Sequence, residues 1–322
     1  MKIFKFLILS LAITVSLISA SCGDGKKSAS ESTILNDSTS SKQISQAMPE
    51  KFDYALGIMI GDNLGKNLGV TSKNFNADDF SKALSDGLKS SNDKEVSKAT
   101  MDFRTEAQKI SIDKQQNKPL PKFSAAFAKN AGFNFSSGFK TAGITGESFN
   151  TAEFKRGFLS ALGEGTPEMD LQAADQILRQ GFEQLKNVIS KKNADEGKKF
   201  LEENLKKNPK LKTTASGIQY EIIKEGKGEK PKVTDKVLTH YHGTHIDGSV
   251  FDSSVDRGEP IEFPLNGVIK GWTEILQLMP KGSKWKVYIP SDLAYGPQGS
   301  QGGIGPNETL VFEIELFKIN GK

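Results

Sequence analysis

Two residues set side by side, Phe251-Asp252, carry the first chemical suggestion in this chain. They close the run Val237-Leu-Thr-His-Tyr-His-Gly-Thr-His-Ile-Asp-Gly-Ser-Val-Phe-Asp-Ser-Ser254, which holds a strand pattern, a tight turn and a second strand start. Val268-Ile-Lys-Gly-Trp272 and Ala294-Tyr-Gly296 follow. Together these segments read as the lining of an apolar pocket with one acid. On the residues alone, Asp252 reads first as a cap on the turn into Ser253-Ser254, and Trp272 and Phe312 read as core aromatics. A second candidate centre is the histidine cluster. His240, His242 and His245 are the only histidines, and His240 and His242 share one face of a strand. Zinc would need further nitrogen, sulfur or oxygen ligands in tetrahedral array. No cysteine lies nearby and Asp247 lies past a turn, so no metal is assigned.

The elements that must position these residues begin after Thr213, where the hydrophobic period becomes two. Ile218, Tyr220 and Ile222 alternate with polar residues, and Gly226-Lys-Gly228 makes a turn. Strand patterns follow at Val237–His242, Ile261–Phe263, Lys284–Ile289 and Thr309–Ile319, with one short helix predicted from about Trp272 to Met279. Antiparallel strands around a single helix make an α+β domain.

From Pro49 to about Asn208 the period is helical. Phe52, Leu56, Met59, Ile60 and Leu64 recur on one face, with Gly57, Gly61 and Gly65 between them. Glycine costs about 1 kcal/mol against alanine inside a helix, so this stripe predicts a partner backbone lying close. Asn76-Ala-Asp-Asp79 opens a second helix, and a third runs from about Asp93 to Lys114. The block then repeats: Gly69-Val-Thr71 matches Gly143-Ile-Thr145, Phe75-Asn76 matches Phe149-Asn150, and Phe80, Leu84 and Leu88 match Phe154, Phe158 and Leu162. Lys118-Pro-Leu-Pro121 marks the joint. The last helix of the second copy is predicted to run from about Asp170 to Asn208, where Pro209 ends it.

At 322 residues the chain has room for two domains of ordinary size. A net charge of +4 with no clustered basic excess gives no nucleic-acid footprint. Met1-Lys-Ile-Phe-Lys5 and the apolar stretch Phe6 to Ile18 form a targeting leader. Ser19-Ala-Ser-Cys22 follows and resembles a bacterial lipobox, with Ser19 where leucine is usual. Cys22 is the single cysteine, which excludes an internal disulfide and fits a residue kept for lipidation. Acyl chains there would anchor the protein to a membrane surface. Gly23 to about Gln46 has few apolar residues and reads as a disordered tether. The expected organisation is a signal peptide at 1–21, a tether at 22–46, helical units at 47–118 and 119–212, and the α+β domain at 213–322.

The α+β domain resembles the FKBP-type peptidyl-prolyl cis-trans isomerases. The motifs that carry the resemblance are His-Tyr-x-Gly, Asp-Gly-x-x-Phe-Asp-Ser-Ser, Val-Ile-x-Gly-Trp, Ala-Tyr-Gly and Asn-x-Thr-Leu-x-Phe, all present in order from Thr214 to Lys322. Ser216-Gly-Ile-Gln-Tyr220, Gly296-Pro-Gln and Asn193-Ala-Asp-Glu-Gly197 further resemble the macrophage infectivity potentiator (Mip) branch. Those are lipoproteins with a helical dimerisation domain ahead of the isomerase domain. The resemblance implies an FKBP-like antiparallel sheet wrapped on one short helix. It places Asp252, Tyr241, Phe251 and Tyr295 in catalytic positions. It places Trp272, Val268, Ile269, Phe312, Arg257, Ile261, Ala294 and Ile304 around the substrate. Ile261 stands where many members carry an aromatic residue. The Ala294–Pro306 loop is one residue longer than the minimal pattern, and Gly305 replaces a common apolar residue.

The implied chemistry suits those residue types. An X–Pro bond rotates over a barrier of about 18–20 kcal/mol because the amide is conjugated. Catalysis requires tighter binding of the twisted amide than of either planar form. A twisted amide is less polarised, so an aromatic cup suits it better than water does, and no nucleophile, metal or cofactor is needed. Trp272 would floor the pocket, with Tyr241, Phe251 and Phe312 as walls. The Ile269 N–H and the Tyr295 hydroxyl would bind substrate carbonyls. Asp252 would act electrostatically, with Arg257 and Tyr241 as its partners. The implied partners are proline-containing unfolded or partly folded exported proteins, with FK506-like macrocycles as candidate ligands, at the bacterial cell envelope. The alternative function is a holdase chaperone with secondary isomerase activity. A third reading is a structural lipoprotein with a degenerate pocket, which the nearly complete motifs oppose. Two helical units in one chain predict either a monomer with an internal pseudo-dimer or an ordinary homodimer.

Overall fold

The computed structural model describes residues 48–89, 93–113, 118–140, 149–300 and 303–321. The expected leader, Cys22 and tether lie outside these residues, as do Gly143 and Thr145 of the repeat. No helix among the described residues is long and apolar enough to cross a membrane. The described chain forms two compact units that divide between Lys186 and Asn187, inside one long helix.

The first unit is helical. Its elements are α1 (Phe52–Leu68), α2 (Ala77–Lys89), α3 (Asp93–Asp113), α4 (Pro121–Lys140), α5 (Thr151–Ala161) and the start of α6 (Leu171–Lys207). Short polar side chains begin several of them by accepting otherwise unpaired N–H groups. Asn76 accepts from Asp78 and Asp79 at 3.0 Å each, Asn150 from Glu153 at 3.1 Å and Asp170 from Ala173 at 2.8 Å. Gly69 ends α1 with φ 66°, a left-handed conformation that glycine adopts without strain.

The two copies exchange helices. α1 of the first copy packs on α5 of the second, and α2 of the first packs on α4 of the second. The crossings are equivalent: a Cβ on Gly61 would overlap the Phe158 carbonyl, and one on Gly132 would overlap the Leu84 carbonyl. The glycine stripe therefore does mark a closely approaching backbone. Phenylalanine fills the space that remains. The Phe158 ring lies 4.9 Å from Phe75, 5.0 Å from Phe80 and 5.1 Å from Phe127 between centroids. The joint between copies is pinned where Asn74, fully buried, donates to the Lys118 carbonyl at 2.9 Å and accepts from the Leu120 N–H at 3.0 Å. Two surface depressions of about 360 and 370 Å³ lie on this unit, and none of the predicted site residues lines either.

The second unit holds α6 from Asn187 onward and a seven-stranded sheet. The strands are β1 (Lys212–Thr213), β2 (Gln219–Lys224), β3 (Lys236–Thr244), β4 (Val250–Ser253), β5 (Ile261–Pro264), β6 (Lys284–Ile289) and β7 (Leu310–Ile319). All pairings are antiparallel, in the order β1-β2-β6-β7-β3-β4, with β5 also on β3. Two short helices interrupt them, α7 (Ser254–Arg257) and α8 (Lys270–Leu276). This is the expected α+β arrangement. The helix predicted from Trp272 to Met279 begins earlier, at Lys270. It ends earlier too, because Leu278 and Met279 bond back to Ile275 and Leu276 in tighter turns ahead of Pro280.

β3 alternates as its sequence requires. Val237, Thr239, Tyr241 and Gly243 are buried while the residues between them are not. The core gathers Trp272, Ile275 and Leu276 of α8 against Val287, Ile289, Phe312, Ile314 and Leu316 of the central strands. Period-two alternation thus aims Tyr241 at α8 and turns His240 and His242 the other way.

Candidate functional site

The site forms where one edge of β3 changes partner. Residues 242–244 pair with β4 and residues 236–239 pair with β5. Tyr241 falls in the gap between the two ladders. Its N–H would be left without a strand partner, and Ser254 supplies one, with Oγ at 2.8 Å. Ser253 accepts from the Asp256 N–H at 3.1 Å and so caps α7. The cap on this turn is therefore Ser253 and not Asp252, which leaves the Asp252 carboxylate free for other partners.

Those partners are Tyr241 and Arg257. The Tyr241 hydroxyl donates to Asp252 Oδ2, Arg257 Nη1 donates to Asp252 Oδ1, and Arg257 Nη2 donates to the Tyr241 hydroxyl at 2.8 Å. The three side chains close a ring of charge-assisted bonds. Burial pushes the Asp252 carboxyl up, but the bonds from Tyr241 and Arg257 and the guanidinium charge outweigh it, so the group stays below the usual carboxylate range. Burial, and then the bond to Asp252, raises the Tyr241 phenol. Asp252 therefore remains an anion and Tyr241 a donor at neutral pH. The Asp252 side chain is 44 % exposed and that of Arg257 50 %, so the pair adds little to stability. Its consequence is orientation: the Tyr241 ring is held on edge against Trp272, at 5.3 Å and 83°.

Trp272 stands at the centre of an aromatic chain. Phe312 meets it at 5.3 Å and 81°, Phe263 at 5.3 Å and 55°, and Phe251 continues from Phe312 at 5.5 Å and 86°. Edge-to-face contacts of this kind fix ring positions beyond what burial alone does. Gly243 makes the arrangement possible, because a Cβ there would press into the rings of Phe251 and Phe312. Val268, Ile269 and Ala294 pack half-buried against the same cluster, and Ile304 lies within it. Ile269 caps α8. Its carbonyl accepts from Trp272 and Thr273, and its own N–H donates to no group among the described residues. Tyr295 is 40 % exposed, and its phenol is raised by burial and by the charge of Asp252, so its hydroxyl keeps its proton.

The structure thus brings Tyr241, Phe251, Asp252, Arg257, Val268, Ile269, Trp272, Ala294, Ile304 and Phe312 to one region, with Tyr295 within range of the Asp252 charge. Ile261 does not join the buried cluster. It is 41 % exposed, and Phe263, two residues along β5, meets Trp272 instead. Three contributors were not singled out from sequence. Phe263 was detectable from the period-two pattern it shares with Ile261, and Gly243 from lying on the Tyr241 face. Ser254 offers no comparable signal, since its role depends on the break in the ladder. The histidines make separate bonds: His240 to Ser254 at 3.0 Å, His242 to Ser253 at 2.9 Å and His245 to Glu308 at 2.8 Å.

Comparison with known proteins accords with this geometry. The profile of the FKBP-type peptidyl-prolyl cis-trans isomerase domain matches residues 227–317. The profile of the domain amino-terminal to that isomerase matches twice, at 49–139 and 122–222, and so spans both helical copies. The chain is 52% identical over 148 residues to the FKBP-type 22 kDa peptidyl-prolyl cis-trans isomerase of Escherichia coli, covering 46% of this chain and 68% of that one. It is 46% identical over 172 residues to the FKBP-type peptidyl-prolyl cis-trans isomerase FkpA of Aeromonas hydrophila, covering 51% and 63%. It is 50% identical over 133 residues to the outer membrane protein MIP of Legionella longbeachae, covering 41% and 57%. The matches to the last two span less than two thirds of those relatives. On both the duplicated helical region and the aromatic domain, the chain belongs to the family of FKBP-type peptidyl-prolyl cis-trans isomerases.

Proposed function

We propose that this chain accelerates X–Pro rotation in exported proteins by binding the twisted amide against Trp272, with no covalent step. The observation that carries the reading is the Tyr241–Asp252–Arg257 ring standing on an aromatic chain centred on Trp272. The proline ring would rest on Trp272, between Tyr241, Phe251 and Phe312. The Ile269 N–H and the Tyr295 hydroxyl would bind substrate carbonyls. Asp252, fixed as an anion, would face the carbonyl carbon of the rotating amide. Its field favours the less polarised, twisted form over the planar one, which is differential binding of the kind catalysis needs. Val268, Ala294 and Ile304 would exclude water, and Ile261 would touch only the outer part of the substrate.

Residues 47–118 and 119–212 serve as two helical units and 213–322 as the isomerase domain. The exchange of helices between copies within one chain supports a monomer with an internal pseudo-dimer. Cys22 would carry the lipid, and the relative called an outer membrane protein supports a site in the bacterial envelope. The test is isomerisation of a proline peptide by wild type, Asp252→Ala and Trp272→Leu, run beside an aggregation assay. Loss of isomerisation in the variants with aggregation suppression intact would give the holdase reading independent standing.

A further inference from the structure

One ion pair beside the pocket takes no part in the ring just described. His245 lies in the turn after β3, and Glu308 lies in the segment that leads into β7. Their side chains meet at 2.8 Å and are only 22% and 19% exposed. The His245 ring also meets the Phe251 wall at 5.3 Å and 67°. On the other side, Glu308 belongs to the segment that presents Ile304 to the core. That segment is held at several points: Asn193 of α6 donates to the Pro306 carbonyl at 2.8 Å, Asn307 donates to Ser190 Oγ at 2.7 Å, and the Asn307 N–H donates to the Gly296 carbonyl at 2.9 Å. Gly305 fits because a Cβ would come within 2.8 Å of Glu308 Oε1 and 3.1 Å of Asn193 Nδ2. Among the described residues, His245–Glu308 is thus one polar link between this anchored segment and the wall of the pocket.

We propose that His245, acting through Glu308, is a positioning residue for the pocket, holding the Phe251 wall and the Ile304 segment in register in a pH-dependent way. The inference rests on reading this pocket as the isomerase site. The groups facing His245 are Glu308 from the segment before β7, Asp247 from its own turn and the Phe251 ring from β4. Burial pushes the imidazole down, but the bond and charge of Glu308, with Asp247 behind it, outweigh burial and leave the group raised. A raised histidine keeps its ion pair fully below its ordinary value of about 6.5 and loses it as pH climbs through the raised value. Above that window the link falls to a neutral hydrogen bond, and the wall is held less firmly.

The test uses the full chain and a proline tetrapeptide, with isomerisation followed by NMR exchange from about pH 5.5 to about pH 9. An edge-to-face ring contact converts to roughly a fivefold change in binding, so wild-type KM should rise about fivefold across that window while kcat changes far less. The rise should coincide with titration of the His245 ring in the same spectra. His245→Asn keeps a donor near the position of Nδ1 but does not titrate, and its KM should be flat. Glu308→Gln should shift the inflection to lower pH, which a purely structural role for the pair would not do. A flat wild-type profile, or an inflection unmoved in His245→Asn, overturns the inference alone. Absence of any isomerisation by the wild type overturns the proposed function and this inference with it.

Discussion

Replacing Asp53 by asparagine should remove a pH dependence from the stability of the helical unit. Asp53 lies in the first turn of α1 and accepts the Asn150 N–H at 3.1 Å, so it ties α1 to the start of α5. Its other oxygen, Oδ1, is buried with no partner among the described residues. Burial pushes the carboxyl from 3.8 up to about 7; the Asn150 N–H opposes this and nearby Glu153 adds to it. The unfolded chain ionises near 3.8 and the folded chain near 7, so between those values the folded state holds the extra proton. Stability from this group is therefore full below the lower value and falls as pH rises through the upper one. At about 1.4 kcal/mol per pH unit, the span from 3.8 to about 7 comes to on the order of 4 kcal/mol. Asparagine keeps an acceptor for Asn150 and cannot ionise. The variant should therefore gain on wild type steadily between about pH 4 and about pH 7.5, by most of that amount. Denaturant titration followed by far-ultraviolet circular dichroism reads the helices. Both tryptophans, Trp272 and Trp285, lie in the other unit, so their fluorescence reports that unit separately. If the difference between variant and wild type stays constant across this range, Asp53 titrates normally and the reasoning fails.

Gly61→Ala and Gly132→Ala should each cost the helical unit about 1–3 kcal/mol, because both place a methyl group against a carbonyl that cannot move away. Similar losses at the two positions in denaturant titration are expected from the equivalence of the crossings; two neutral results would contradict the close approach. Arg257→Met should release Asp252 toward the ordinary carboxylate range and lower kcat/KM by about tenfold. The acid limb of its pH–rate profile should also move to higher pH, and an unmoved limb would show that Arg257 does not set the charge of Asp252. Sedimentation of the chain from about Gln46 onward should give a monomer, and a clean dimer would rule out internal pairing.

The sequence pattern disclosed most of the helices because their periods are local. Phe80, Leu84 and Leu88 and their counterparts Phe154, Phe158 and Leu162 announce the repeat without any knowledge of packing. The glycine stripe announced a near neighbour but not which one. That Gly61 meets Phe158 while Gly132 meets Leu84 follows from tertiary exchange between copies, and no local pattern encodes it. Tyr241, Phe251, Trp272 and Phe312 were legible as pocket candidates only through the motifs that resemble the FKBP-type isomerases; on the residues alone, Trp272 and Phe312 read as core aromatics. Asp252 reads from sequence as either a cap or a pocket residue; in the structure Ser253 takes the cap. Ser254 was not legible, since its role arises from a break in strand pairing, and neither was the His245–Glu308 pair, whose members are 63 residues apart. The exposure of Ile261 depends on where β5 begins against β3, which the strand's composition does not determine.

If Trp272 and the Tyr241–Asp252–Arg257 ring bind the twisted amide as proposed, losing the indole must slow isomerisation. The most direct measurement is the rate of cis–trans exchange of a proline tetrapeptide with wild type and with Trp272→Leu, at matched folded fraction. Wild type should accelerate exchange clearly, and kcat/KM should fall at least about tenfold in the variant, as expected when a contact made more strongly in the transition state is lost. Equal rates for the two proteins, or no acceleration by wild type, would contradict it.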